Sequence, residues 1–109
     1  MKIAITGPYS APTGKERQQN LDKMNEAAAA IYEMGHIPII GVNAALPVLE
    51  KSEVDDEYKL IMDISIAIAE DCDALLLIAA SPDAARELEL LQSKGKPVYK
   101  SLSEIPAFS

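Results

Sequence analysis

A carboxylate set into an apolar seam is the feature of this sequence that most directly suggests chemistry. The stretch SPDAARELE occupies residues 81–89. If it is a helix, Glu87 falls on the arc between Leu90 and Leu91, with Ala84 one turn behind it. In that position Glu87 can be a nucleophile or base that faces a crevice. It can also be a flank residue that pairs across an oligomer interface.

Two nearby features can bring polar groups to the same place. Ser81 is predicted to cap the helix that carries Glu87, with Pro82 at the first helical position. Free amides and the helix dipole at such an end favour anions, so Ser81 can contact a phosphate or remain a plain cap. The loop that follows the first predicted strand can approach a ligand with backbone amides and a phenol. The alternative is a simple loop in which the tyrosine covers the edge of the sheet. The residues of this loop are Gly7, Pro8, Tyr9 and Ser10.

Four other polar residues have both a chemical and a structural interpretation. Asp63 lies in a predicted apolar helix, where an unpaired buried carboxylate is costly. Asn43 follows the second predicted strand and can hydrogen-bond a sugar or base, or stabilise a turn. Asp73 is expected to cap the turn before the third strand, and His36 is expected to be a turn residue. The sequence has no metal-ligand spacing, no phosphate-binding glycine motif and a single histidine, so we predict no metal, no cofactor and no hydrolase triad.

Strands and helices alternate along the whole chain. Strands are predicted from the runs KIAIT, HIPIIG, ALLLIAA and PVYK, which are apolar and bounded by glycine or proline. Helices are predicted over residues 15–34, across YKLIMDISIAIAE, and over residues 81–94, with Gly35 and Gly95 as caps. The segment VNAALPVLEKSEVDDE has no clean period and contains Pro47, so we predict a loop or a single broken turn there.

This alternation predicts one α/β domain over residues 1–109. Its core is an open parallel sheet of four to five strands in a flavodoxin-like or Rossmann-like three-layer sandwich, with strand order 2-1-3-4. Ligands of such sheets bind beyond the carboxyl ends of the strands, where the strand order reverses. That point lies between strands one and three. The segments GPYS and SPDAARE are therefore predicted to face one crevice.

Composition limits the classes of partner. The formal net charge of −7 argues against nucleic-acid binding, which needs clustered Lys and Arg. The lone Cys72 and the lack of an apolar signal region predict a reducing, cytoplasmic setting, and no apolar run is long enough to cross a membrane. The predicted helix YKLIMDISIAIAE is apolar nearly all round, which predicts a homo-oligomer, a dimer or higher.

Three blocks of sequence carry a resemblance to a known family. In the order IAITGPYS, GHIPIIGVNAALP and CDALLLIAASPDAARELELLQSKGKPVY, the chain resembles the nucleoside 2-deoxyribosyltransferase superfamily, including its nucleoside 5'-monophosphate N-glycosidase branch. The match covers nearly the whole chain at the level of motif order. The resemblance implies that Glu87 is the nucleophile of a covalent ribosyl-enzyme, that Ser81 contacts phosphate or sugar, and that Tyr9 hydrogen-bonds near Glu87. The implied ligand is a small-molecule nucleoside or nucleotide.

Two positions depart from the pattern of that superfamily. Asp83 stands where its members usually carry glycine, which places a negative charge beside the implied phosphate pocket. Ser65 stands where they carry the aspartate that protonates the leaving base. Asp63 comes shortly before it and would reach the site only if the helix were shifted or bulged.

The predicted function is therefore cleavage or transfer of the N-glycosidic bond of a (deoxy)nucleoside or nucleoside 5'-monophosphate, through a glutamate nucleophile. One alternative is a nucleotide-binding or sensing module of the same fold that has no activity, which the two departures favour. A second alternative is a structural oligomerising domain, which leaves the GPYS segment and the spacing from Ser81 to Glu87 unexplained.

Overall fold

The strands of this protein form one parallel sheet with the order 2-1-3-4, which confirms the predicted topology. The computed structural model describes residues 1–107, the side chain of Asp83 excepted. In chain order the strands are β1 (Lys2–Thr6), β2 (Ile37–Ile40), β3 (Ala74–Leu77) and β4 (Val98–Tyr99). The edge strands are β2, which contains Pro38, and β4, which is two residues long.

Helices cover both faces of this sheet. They are α1 (Gly14–Glu33), α2 (Gly41–Lys51), α3 (Glu57–Glu70) and α4 (Pro82–Ser93), and a 3-10 turn spans Leu102–Glu104. Side-chain oxygens of Thr13, Asp56 and Ser81 cap α1, α3 and α4 by accepting from backbone N–H groups in the first turn. Gly35 and Gly95 follow the ends of α1 and α4 at φ of 93° and 72°, a backbone region that favours glycine.

The residues of β1 alternate between two cores, because successive side chains of a strand point to opposite faces of the sheet. Ile3 and Ile5 pack in a core that includes Met24 of α1. Ala4 packs in a second core, which includes Leu91 of α4. The sheet is therefore the middle layer of a three-layer sandwich, as predicted.

The prediction of a loop after β2 is wrong, because residues 41–51 form helix α2. Val42, Ala45 and Leu49 recur at helical spacing and give α2 one apolar side, and α2 packs against α3. Pro47 is exposed, and its ring removes one backbone donor without ending the helix. Tertiary packing thus stabilises a helix that the local sequence does not predict.

Helix α3 confirms the helical interpretation of the segment YKLIMDISIAIAE. It buries Met62, Ser65 and Ala69, and it leaves Asp63 exposed. Within residues 1–107, no helix has both the length and the apolar content needed to cross a bilayer.

Candidate active site

A cavity of about 450 Å³ opens at the carboxyl end of β1, where the sequence predicts a crevice. Small-molecule sites in proteins commonly have volumes of roughly 300 to 1,000 Å³. The loop after β1 and all four of the helices α1 to α4 contribute to the wall. The polar residues of the lining are Thr6, Tyr9, Ser10, Arg17, Glu57, Tyr58, Ser65 and Glu87.

Glu87 is the buried carboxylate of this wall, with 6% of its surface exposed. It lies in the second turn of α4, after the Ser81 cap. Ala84 and Leu91, one turn before and after it, are buried in the protein. The apolar seam of the sequence is therefore the side of α4 that faces the interior, and Glu87 lies where this side reaches the cavity.

The loop after β1 is anchored to α1 by side-chain hydrogen bonds. Asn20 donates from Nδ2 to the carbonyl oxygen of Tyr9 at 3.1 Å, and Arg17 donates from Nη1 to the carbonyl oxygen of Ala11 at 2.8 Å. These two carbonyl groups lie on either side of Ser10. The backbone that carries the Tyr9 and Ser10 side chains is thus held against α1 at the cavity.

Gly7 and Pro8 lie at a close approach between the ends of β1 and β3. A Cβ atom at position 7 would lie 3.0 Å from Ile78 Cβ, which is tighter than an ordinary contact. Gly7 lines the main cavity and also a smaller neighbouring cavity of about 230 Å³, whereas Pro8 lines the smaller one. Of these two predicted binding residues, only Gly7 adjoins Glu87 in one cavity.

Ser65 is a buried hydroxyl group of the cavity lining that the sequence does not mark as a ligand contact. It is 5% exposed, and its Oγ has no hydrogen-bond partner among the described residues. Gly41, the first residue of α2, packs directly against it: a Cβ atom there would lie 2.6 Å from Ser65 Cα. Because buried hydroxyl groups are normally paired, Ser65 is suited to hydrogen-bond a polar group of a ligand.

Besides Pro8, three predicted binding residues do not contribute a described side chain to the lining of the main cavity. Ser81 Oγ accepts from the backbone N–H of Ala84 at 3.1 Å, as the helix cap. Asn43 is exposed on α2 and donates from Nδ2 to Asn25 Oδ1 at 2.7 Å. Asp83 lies in the first turn of α4, and its side chain falls outside the described part of the chain.

Asp63 does not reach the cavity, because it lies on the exposed side of an uninterrupted α3. No shift or bulge brings it inward among the described residues of this helix. Its Oδ2 accepts from Lys59 Nζ at 2.7 Å, and this hydrogen bond, with the charge of Asp63, raises the pKa of Lys59. Ser65, half a turn later, lines the cavity instead.

Asp73 and His36 join distant segments of the fold. Asp73 Oδ2 accepts from the backbone N–H of Lys2 at 2.8 Å, which ties the start of β1 to the turn before β3. His36 is buried, with Nε2 2.6 Å from the carbonyl oxygen of Pro106. The sequence predicts only a local role in a turn for Asp73 and His36, and it does not predict these long-range contacts. Among residues 1–107, no group of three His, Cys, Asp or Glu residues is placed to hold a metal ion.

Five polar residues of the lining are not among the ligand contacts that the sequence predicts: Thr6 in β1, Arg17 in α1, Glu57 and Tyr58 at the start of α3, and Ser65. The predicted loop or broken turn over VNAALPVLEKSEVDDE gives no position for the start of α3. The spacing of Val42 and Leu49 fits a helix, but Pro47 and the acidic residues after it favour a loop.

The class of fold that these elements define is also found in a solved enzyme structure. A 2-deoxyribosyltransferase from the psychrotolerant bacterium Bacillus psychrosaccharolyticus aligns with a TM-score of 0.60, over 90% of this chain and 69% of its own, at 18% sequence identity. No protein-family profile and no curated protein sequence matches this chain. The likeness shows that this chain shares the fold of that enzyme, in agreement with the resemblance of the sequence blocks.

Proposed function

We propose that this protein cleaves or transfers the N-glycosidic bond of a nucleoside or nucleotide, with Glu87 as the nucleophile. The observation that supports the proposal most directly is the burial of Glu87 in the wall of a cavity of ligand size. A carboxylate is costly to bury, so one placed at the crevice of an α/β sheet is a candidate for function. The shared fold with a 2-deoxyribosyltransferase supports the same reaction class.

The reaction that we propose for Glu87 has two displacement steps at the anomeric carbon. A carboxylate oxygen of Glu87 bonds to this carbon while the bond to the base nitrogen breaks, and the base keeps the electron pair. Water or a second base then attacks the same carbon and releases Glu87, which gives hydrolysis or transfer respectively. A carboxylate also stabilises the oxocarbenium-like charge that develops in both steps.

Tyr9 and Ser65 are the residues that we propose to orient the ligand around Glu87. The Tyr9 side chain shares the cavity with Glu87, and a phenol can donate a hydrogen bond to a carboxylate or a sugar hydroxyl. Ser65 lies on the opposite wall, on α3, with its Oγ unpaired among the described residues. The space between α3 and α4 is where we place the sugar and the base.

The test of this proposal is a chromatographic assay for free base with a matched pair of variants. Glu87→Gln keeps the size of the side chain and removes the nucleophile. Glu89→Gln makes the same change two positions further along α4 at an exposed residue. Substrates are deoxynucleosides, ribonucleosides and their 5'-monophosphates, and half of the reactions contain an excess of a different free base.

We expect Glu87→Gln to lose at least about 1,000-fold in turnover, as removal of a nucleophile commonly does, and Glu89→Gln to retain activity. A new nucleoside in the reactions with added base identifies a transferase. Equal rates for the parent protein and Glu87→Gln would refute the role of Glu87. Thermal unfolding of both variants shows whether each is still folded. If Glu87 instead pairs across an oligomer interface, Glu87→Gln should lose its fold.

A second candidate function is nucleotide binding without turnover. The position of Asp63 favours it, because this carboxylate pairs with Lys59 on the exposed side of α3 and supplies no proton in the cavity. Calorimetric titration distinguishes the two functions: binding of a nucleotide to folded protein that releases no base would establish the binding module.

Self-association remains a prediction. The outer side of α3 has a groove in which three apolar residues, Val54, Leu60 and Ile64, are surrounded by five charged ones, and Val54 is exposed. Exposed apolar groups with a polar rim are typical of an interface. Light scattering over a concentration series measures the assembly state, and a monomer at all concentrations would refute the prediction.

A further inference from the structure

Acidic side chains outnumber basic ones in the lining of the main cavity. Glu57 and Glu87 carry carboxylates there, and Arg17 carries the cation. The Arg17 guanidinium donates to the Ala11 carbonyl oxygen at 2.8 Å, so it is partly engaged by the loop after β1. The chain as a whole has a formal net charge of −7. These charges favour a cationic ligand over an anionic one.

Aromatic and aliphatic groups complete the same wall. Tyr9 lies on the β1 side and Tyr58 on α3, where it is 46% exposed at the cavity. The aliphatic residues between the two come from α2 and α3 and include Val42, Leu46 and Ile61. The faces of aromatic rings attract cations. A wall of tyrosines, carboxylates and aliphatic groups is therefore suited to a flat ring that carries a positive charge.

Glu57 lies in the first turn of α3, at the end of the helix where the dipole favours a negative side chain. A formal negative charge at this place attracts a cation. The nearby carboxylate Asp63 is outside the cavity and pairs with Lys59.

We propose that the ligand of this site is an N-glycoside of a cationic heteroaromatic base, of the N-ribosylpyridinium type. The proposal rests on the function proposed above for Glu87. When the bond between the anomeric carbon and the ring nitrogen breaks, its electron pair goes to the nitrogen and cancels the positive charge of the ring. The base leaves as a neutral molecule, so the step needs no proton. A neutral nucleoside has to release an anion or receive a proton.

Ser65 adds a requirement to the structure of this base. Ser65 belongs to the cavity lining, and its buried Oγ has no partner among the described residues. A ring substituent that can hydrogen-bond, such as a carboxamide, gives this hydroxyl a partner. Nicotinamide riboside is a probe with both features, and its 1,4-dihydro form has the same shape without the charge.

The first experiment measures base release from nicotinamide riboside, uridine and deoxyuridine by the parent protein. The same measurement with Glu87→Gln corrects for the spontaneous breakdown of each compound. We expect the parent protein, but not Glu87→Gln, to release base from nicotinamide riboside. Release from the two neutral nucleosides should be at least about tenfold slower. The kcat/KM for the cation should not fall between about pH 6 and about pH 8, since no protonated group is required.

The second experiment measures the dissociation constants of nicotinamide riboside and its dihydro form for the folded Glu87→Gln variant, which cannot turn over the ligand. The preference for the cation is the ratio of these two dissociation constants. Adding Glu57→Gln to the Glu87→Gln variant should reduce this ratio by about tenfold, which corresponds to about 1.4 kcal/mol. Glu53→Gln, an exposed residue outside the main cavity, is the matched control and should leave the preference unchanged.

Three results would overturn the inference, and they differ in what they say about Glu87. Neutral nucleosides that are cleaved as fast as the cation, with loss on Glu87→Gln, would refute the cationic base and leave the function of Glu87 in place. If the folded protein releases base from none of the substrates, both the cationic base and the function of Glu87 are refuted. A preference for the dihydro form over the cation would also refute the inference.

Discussion

The two walls of the crevice are built in different ways. The wall made by β1, the loop after it and α4 follows from local signals: a short apolar strand, a serine cap and a glycine after the helix. The wall made by α2 and α3 depends on a contact between helices, in which Gly41 packs against Ser65. Residues of the first wall were found from the sequence, whereas most of the second were not. Local patterns therefore specify the position of Glu87, the proposed nucleophile, and tertiary packing specifies the residues of α2 and α3 in the same lining.

The largest effect is expected in the first wall. Leu91→Ala removes a side chain with 0% exposure that packs with Ala4 and Leu75. We expect a loss of about 2 to 5 kcal/mol in the free energy of unfolding, because the substitution leaves a cavity in the core. Denaturant unfolding measures it, with the exposed Gln92→Ala as the control. A loss equal to that of the control would mean that α4 is not docked as described.

A smaller effect is expected in the second wall from Gly41→Ala. The added Cβ would lie 2.6 Å from Ser65 Cα, so α2 must move away from α3 at a cost of about 1 to 3 kcal/mol. Gly14→Ala is the matched control, since Gly14 is also the first residue of a helix and a Cβ there meets only the flexible Arg17 side chain at 3.7 Å.

Hydrogen exchange locates the effect of Gly41→Ala. If the strain stays local to the contact between Gly41 and Ser65, protection falls in α2 and α3 and is retained in β1 and α4. A uniform fall through the whole chain would contradict this comparison.

The end of α3 offers a finer test. Lys96 Nζ donates to the carbonyl oxygens of Glu70 and Cys72 at 2.7 and 2.6 Å, which fastens the turn after α3 to the segment before β4. Lys96→Met keeps the aliphatic length and removes both hydrogen bonds, so we expect a loss of about 1 to 3 kcal/mol, the usual range for two such bonds. Urea unfolding measures it. A change within experimental error would show that these carbonyl groups are equally well satisfied by water.

The smallest effect is expected from the exposed ion pair between Lys94 Nζ and Glu70 Oε1, at 2.9 Å. The hydrogen bond and charge of Lys94 lower the pKa of Glu70 from its ordinary value of 4.5. The stabilisation is therefore present above pH 4.5 and is lost as the pH falls through the lower, folded value. Lys94→Met should be slightly less stable than the parent protein at neutral pH and equal to it in acid. Thermal unfolding at several pH values measures this, and a difference that persists in acid would assign the effect to packing.

The sequence was sufficient for the topology and for the position of Glu87. The apolar run of β1 and the helical period in α1 and α4 are local properties, and the strand order then brings the loop after β1 to α4. The sequence was insufficient for α2, because Pro47 and the acidic residues after it indicate a loop unless the surface of α3 is already known. The burial of Ser65 and its contact with Gly41 could not be predicted for the same reason, since neither is a property of the neighbouring residues.

The two edges of the sheet bear on how copies of this chain can meet. Pro38 has no N–H to offer along β2, and β4 ends after two residues, so neither edge presents a long row of free backbone groups to another strand. Growth of the sheet from molecule to molecule, the route by which many α/β and β proteins form fibrils, is therefore disfavoured at both edges of the sheet within residues 1–107. We expect concentrated solutions to yield discrete particles and no fibrils.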